Sequence, residues 1–266
     1  MIGTVLYDVQ DHVAVITLNR PEKLNALNLA AYAEATAAFA EARADKNVRC
    51  IIFTGSGHCF CSGDDVLEIM AQGGGLEQQI QQHNANEPFS SAPPLVNEML
   101  RARSPIINAV NGAAVGMGIE LSLLCDIRIA SERAKFSEMF VRRGVIGTHV
   151  SFNLLPAIVG SAVATEMLLT GCMLSAERAL AVGLVSYLTP PEQLMNKAFE
   201  LAHAIVANPP LAVEKAKLAL NLKRDNLPDQ IDRSVSESLR QLVASYDHKE
   251  SVKAFLEKRD PVYRGE

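Results

Sequence analysis

Two glycine-bearing turns constrain this chain more than any other feature. One is Phe60-Cys61-Ser62-Gly63-Asp64-Asp65; the other is Asn111-Gly112-Ala113-Ala114-Val115-Gly116-Met117-Gly118-Ile119-Glu120. Each sits between an apolar strand-like run and a helix-like run. Ile51-Ile52-Phe53 precedes the first, Ile106-Ile107-Asn108-Ala109-Val110 precedes the second, and Leu121-Ser122-Leu123-Leu124 continues Met117 into a helix. Glycine lets a backbone approach a ligand closely. The first amides of a helix have no internal partner and favour negative charge. Two such amides converging on one oxygen would form an oxyanion hole.

The same alternation extends along the chain. His12-Val13-Ala14-Val15-Ile16-Thr17-Leu18 is β-rich and ends at Asn19-Arg20-Pro21, and residues 28–44 are alanine-rich and predict a helix with Asn28 as its N-cap. A strand over 48–53 follows, and after the first glycine turn a short helix over 66–70. Such an order suggests stacked β-containing turns with helices packed outside; by composition alone a doubly wound α/β domain fits as well. Residues 72–94 are polar and rich in Gln, Asn, Gly and Pro, which suits either a mobile segment over a pocket or a solvated insertion. Beyond position 188 helices are expected over 191–206, 210–222, 230–245 and 249–257. The division is therefore a core over 1–188 and a helical lobe over 189–266.

A chain of 266 residues that is 48% hydrophobic can bury a sizeable core. No apolar run approaches the ~20 residues of a membrane helix, and no secretory pattern opens the chain, so the expected setting is cytoplasmic, without a membrane. Thirty acidic against 25 basic residues leave a formal charge of −5, which gives nucleic-acid binding no general support. Five cysteines without a framework-like spacing argue for reduced thiols. His58-Cys59-Phe60-Cys61 would suit a metal only with further ligands, and the expectation is buried thiols and no metal.

At the two turns the sequence resembles the crotonase superfamily, the enoyl-CoA hydratase/isomerase family, and the resemblance runs nearly end to end. Arg20-Pro21-Glu22-Lys23-Leu24-Asn25-Ala26-Leu27 is similar to its CoA-contacting opening, and Cys125-Asp126-Ile127-Arg128-Ile129-Ala130 to the strand after its second turn. Asn208-Pro209-Pro210 and Ala254-Phe255-Leu256-Glu257-Lys258-Arg259 resemble its C-terminal helices. The resemblance implies an α/β fold with a ββα spiral core and a C-terminal helical trimerisation lobe. It also implies a homotrimer or a dimer of trimers, and an acyl-CoA substrate whose coenzyme A is the only cofactor.

Carried over by this resemblance, the oxyanion donors are the amides of Asp64 and Met117, and the acid/base is Glu120, three residues beyond Met117 on the same helix face. Apolar neighbours should bury Glu120 and raise its pKa. The Asp64 carboxylate would oppose an enolate if it turned inward. The second glutamate of a family hydratase falls at Phe140, which cannot transfer a proton. Glu138, two residues earlier, would point the same way in an extended segment, about 7 Å off, from where it could substitute through water, with a surface role the one expected for it. Gly147-Thr148-His149-Val150 lies where other members carry a catalytic carboxylate, which makes Thr148 and His149 candidates; His149 could act as a base or orient water, or serve the turn alone. His12, His58, His83, His203 and His248 have weaker claims. Lys23, Leu24, Ala26, Ser62, Gly63, Asp65, Val66, Ala113, Gly116, Phe140, Thr148, Phe255 and Lys258 make up the implied substrate-binding set, Phe255 covering the adenine from a neighbouring subunit.

The absence of Gly-x-Ser-x-Gly disfavours an α/β-type serine hydrolase, and neither a nucleotide P-loop nor a dinucleotide glycine pattern is present. Three functions remain in view. Hydration or isomerisation of an enoyl-CoA leads, β-keto C–C hydrolysis with His149 is the enzymatic alternative, and a non-catalytic acyl-CoA- or RNA-binding paralogue is the third.

Overall fold

A computed structural model describes residues 3–71, 93–224, 241 and 245–266. Its framework is two sheets, which the chain visits alternately. In the first, β1 (Val5–Gln10) lies antiparallel on β2 (Val13–Leu18), and β3 (Cys50–Gly55), β5 (Ile106–Val110), β7 (Ile127–Ser131) and β10 (Tyr187–Thr189) continue it in parallel. The second sheet is β4 (Cys59–Cys61), β6 (Ala113–Val115) and β8 (Lys135–Ser137) in parallel, with β9 (Leu174–Ser175) antiparallel at its edge. Each cycle runs from a strand of the first sheet through a short turn to a strand of the second and then into a helical segment. The result is a ββα spiral, and the doubly wound alternative, which has one sheet, is excluded.

The apolar runs of β3 and β5 follow from burial on both sides, since a parallel strand covered on two faces has no solvent side. Ile51 and Phe53 face one core, shared with the helix α1 (Leu29–Ala44) and the second sheet; Cys50 and Ile52 face another. Asn28 caps α1 by accepting from the Ala31 amide at 2.9 Å, as its side chain predicts. Phe53 stacks edge-on between Phe39 of α1 and Phe60 of β4, with both centroid separations 5.2 Å. That column ties the strand before the first glycine turn to the one that enters it, and truncating Phe53 should cost ~3–5 kcal/mol.

The second core is closed by Leu194, Ala198 and Ala202, four residues apart on one face of the helix spanning Leu194–Val206. The expected boundary at 188 thus falls within β10, and the first helix beyond it covers the main sheet. The next helix, Pro210–Arg224, is held by Lys217, whose ammonium donates to Asp126 Oδ2 at 2.8 Å and to the Ser104 carbonyl at 2.9 Å. The last helix spans Tyr246–Glu257. The expected helix over 230–245, apart from residues 241 and 245, and the 72–94 segment, up to residue 92, lie outside the described residues. No described helix is long and apolar enough to cross a membrane.

Candidate active site

The two glycine turns meet face to face. Gly63 adopts φ 98°, and a Cβ added there would lie 3.6 Å from the Met117 nitrogen and 3.0 Å from the Val115 carbonyl oxygen. Only glycine combines that backbone with that approach. Gly118 has the same function one step on: its Cβ would lie 2.2 Å from the Cys61 carbonyl, so the helix Met117–Leu123 sits directly on β4. Neither the Asp64 nor the Met117 amide donates to a backbone acceptor among the described residues. The two candidate oxyanion donors are therefore neighbours, and both are uncommitted.

The opening segment is bound to the first turn by main-chain hydrogen bonds. Ser62 N donates to Leu24 O, Leu27 N to Gly63 O and Asp65 N to Leu27 O. Arg20 pairs with Asp65 at 3.1 Å, both little exposed; desolvation raises the Asp65 pKa, but the Arg20 pairing and the hydrogen bonds from the Glu68 and Leu67 amides together hold the carboxyl below its usual range. Lys23 and Leu24 are exposed, Ala26 is half-buried and Lys258 is exposed at the end of the last helix. The Phe255 side chain lies outside the described residues. A cleft of about 80 Å³ lies over the turns; Ser62, Gly63, Asp64, Val66, Gly116 and Phe140 are among its lining residues. Ala113, in β6, does not line it.

Glu120 is fully buried one turn into the helix that begins at Met117. Its Oε1 accepts from the Thr148 amide at 2.6 Å and its Oε2 from the Thr148 hydroxyl at 3.0 Å. Thr148 is the N-cap of the helix His149–Val159, so the carboxylate sits at a helix N-terminus, where negative charge is favoured. Burial raises the Glu120 pKa, the Ser151 and Thr148 hydrogen bonds oppose the rise, and the charge of Asp64 adds to it. A carboxyl so balanced suits general acid and base work near neutrality.

Three features depart from the sequence expectation or were missed by it. The Asp64 side chain is partly buried and accepts from the Tyr32 hydroxyl at 2.5 Å; burial raises its pKa and that hydrogen bond lowers it. Tyr32 had no signal in the sequence beyond its place on α1. Glu138 does not have the surface role expected for it: it is 1% exposed, because the chain after β8 turns into a 3₁₀ helix (Met139–Arg143) instead of continuing extended. Ser151, absent from every candidate set, bridges the two buried glutamates. Its hydroxyl lies 2.7 Å from Glu120 Oε1 and 2.9 Å from both Glu138 oxygens. The Thr148-x-x-Ser151 spacing, which puts both hydroxyls on one helix face, was the available signal.

His149 is the first residue of its helix and is exposed, unlike its neighbour Thr148, which reaches Glu120. Cys59 and Cys61 are buried; Cys59 donates to the Ala113 carbonyl, and burial pushes its thiol up to about 11. Among the described residues no three His, Cys, Asp or Glu side chains gather closely enough to hold a metal ion.

With two free amides beside a buried glutamate on a spiral of two sheets, comparison with known proteins gives a consistent answer. The family model described as enoyl-CoA hydratase/isomerase matches residues 8–266, and the chain belongs to that family of enzymes. It is 37% identical to (E)-benzylidenesuccinyl-CoA hydratase of Thauera aromatica, over 98% of this chain and 99% of that one. It is 34% identical to 1,2-epoxyphenylacetyl-CoA isomerase of Escherichia coli (strain K12), over the full length of both. The crystal structure of enoyl-CoA hydratase from Bacillus anthracis superposes with a TM-score of 0.88 at 31% identity, over 99% of this chain and all of that one.

Proposed function

We propose that this enzyme takes an acyl-CoA thioester and moves a proton at the carbon next to its carbonyl, as an enoyl-CoA isomerase or hydratase. The observation that carries this is the placement of buried Glu120 one helical turn from the Met117 amide, with Gly63 packed against that amide and Asp64 lining the same cleft. The thioester oxygen would lie between the Asp64 and Met117 amides, which stabilise the enolate as its charge develops. Glu120, which accepts two bonds from Thr148, would remove the proton and return it. Coenzyme A enters as part of the substrate, along the segment that carries Lys23 and Leu24. Homotrimeric assembly is proposed from the family resemblance.

Isomerisation needs one such base, whereas hydration needs a proton donor besides the group that activates water. Phe140, in the cleft wall, supplies none. The exposure of His149 gives the C–C hydrolase alternative no support, and the completeness of the Glu120 site favours catalysis over binding alone. The test follows absorbance of the conjugated thioester across 2-enoyl- and 3-enoyl-CoA substrates of increasing length, wild type beside Glu120→Gln. We expect turnover by the wild type and a loss of ~10²-fold or more in the variant. Turnover unaffected by the substitution would refute the assignment.

A further inference from the structure

A serine hydroxyl has one hydrogen to give. Ser151 Oγ is within hydrogen-bond range of Glu120 on one side and Glu138 on the other, so it can donate to only one of them. The second carboxyl must bring its own proton, or two buried acceptors would face a lone pair. The remaining partners decide where that proton sits. Thr148 Oγ1 accepts from the Val150 amide, leaving its hydrogen for Glu120, so Glu120 accepts two donors besides Ser151. Glu138 has no partner but Ser151 among the described residues. The arrangement is a wire: Glu138 donates to Ser151 Oγ, and Ser151 donates to an ionised Glu120.

We propose that Glu138 is the second proton-handling group of this site, acting on Glu120 through the Ser151 hydroxyl in place of a carboxylate at position 140. The proposal rests on the reading of Glu120 as the acid/base. When Glu120 needs a proton, Ser151 passes its hydrogen to Oε1 and takes the Glu138 proton in the same movement. Glu120 becomes the neutral acid and Glu138 the carboxylate, and Ser151 is regenerated unchanged. Return of the proton follows the reverse path, so the pair conserves one proton without solvent entering. Glu138 does not touch the cleft and is a positioning residue.

The surrounding charges agree. Burial first, and then the Glu120 charge, push Glu138 up to about 8, against the Ser151 hydrogen bond. On its own turn, Arg142 and Arg143 are exposed, Arg142 donating to the Thr170 carbonyl and Arg143 lining the cleft. The helix packed against it offers Ser151, and the exposed His149 at its start. On the far side, Glu120 is faced by Asp64, which Tyr32 holds.

The test has two arms, with Glu138→Gln as the main variant, because an amide keeps the volume and still donates to Ser151. In the first, infrared spectra of wild type and both glutamate variants are recorded from pH 5 to 9. A protonated-carboxyl band present near neutrality in the wild type and in Glu120→Gln, and absent in Glu138→Gln, is the expected result. No such band in the wild type overturns the proposal, whatever the protein turns over. In the second arm, kcat and KM are followed over the same pH range. Glu138→Gln should lose ~10²-fold in kcat with KM within about twofold, and the alkaline fall of kcat should vanish. Ser151→Ala should lose kcat similarly while keeping the infrared band. Unchanged kcat, or a reduced kcat that keeps its alkaline limb, would show a structural role only and overturn the relay. Loss in Glu120→Gln alone would leave the Glu120 assignment standing without it.

Discussion

Replacing Glu138 with Gln should change how stability depends on pH, and the direction follows from burial. An unfolded Glu138 gives up its proton near 4.5, whereas the folded one holds it to about 8. Between those values the native state binds more protons than the unfolded state, so stability falls as pH rises. The contribution is fully present below about 4.5 and is lost as pH passes about 8. At 1% exposure, solvent screening removes little of it. One pKa unit corresponds to about 1.4 kcal/mol, and coupling to Glu120 spreads some of the change between the pair. We therefore expect the difference in unfolding free energy to move on the order of 1 kcal/mol per pH unit between pH 5 and 8, in favour of the variant. At pH 5 the two should lie within about 1 kcal/mol, since glutamine mimics the protonated acid. Urea unfolding at fixed protomer concentration, at pH 5, 6, 7 and 8, measures this directly. Parallel pH dependences would refute the placement of a titrating carboxyl there, and a variant that lost ground as pH rose would refute the sign.

Three further outcomes are expected. Gly118→Ala would place a methyl 2.2 Å from the Cys61 carbonyl and push the helix off the first turn; thermal melts should show a loss of ~1–3 kcal/mol, with a larger fractional loss of turnover. Tyr32→Phe removes the donor to Asp64, costs ~1–3 kcal/mol in unfolding experiments, and should shift the pH midpoint that reports Glu120. Phe140→Glu places a carboxylate in the cleft wall and should raise 2-enoyl-CoA hydration relative to isomerisation by ~10-fold or more; an unchanged ratio of the two rates would show that position 140 does not reach the reacting carbons.

Features that depend on neighbours in sequence were legible from the start. Ile51 to Phe53 and Ile106 to Val110 read as buried strands because every position but Asn108 is apolar, and both are fully covered. Asn28 read as a cap because its side-chain oxygen can accept from the amides just ahead of it. Glu120 read as buried because Ile119, Leu121, Leu123 and Leu124 surround it with apolar side chains. The two glycine turns could be paired before any coordinates, since glycine at such spacing has few other uses.

The sequence by itself thus determined the buried strands, the cap, the glycine turns and the carboxyl beside the second turn, all consequences of local period and residue type. Only the tertiary structure decided what that carboxyl faces. The 3₁₀ turn after β8 carries Glu138 inward, and Thr148 and Ser151 reach Glu120 from a helix that begins some thirty residues later. Tyr32 meets Asp64 from the far side of the first turn. The physical reason is that a hydrogen bond across the core depends on where the chain returns, and the local pattern of polar and apolar residues that selects a strand or a helix carries no record of that path.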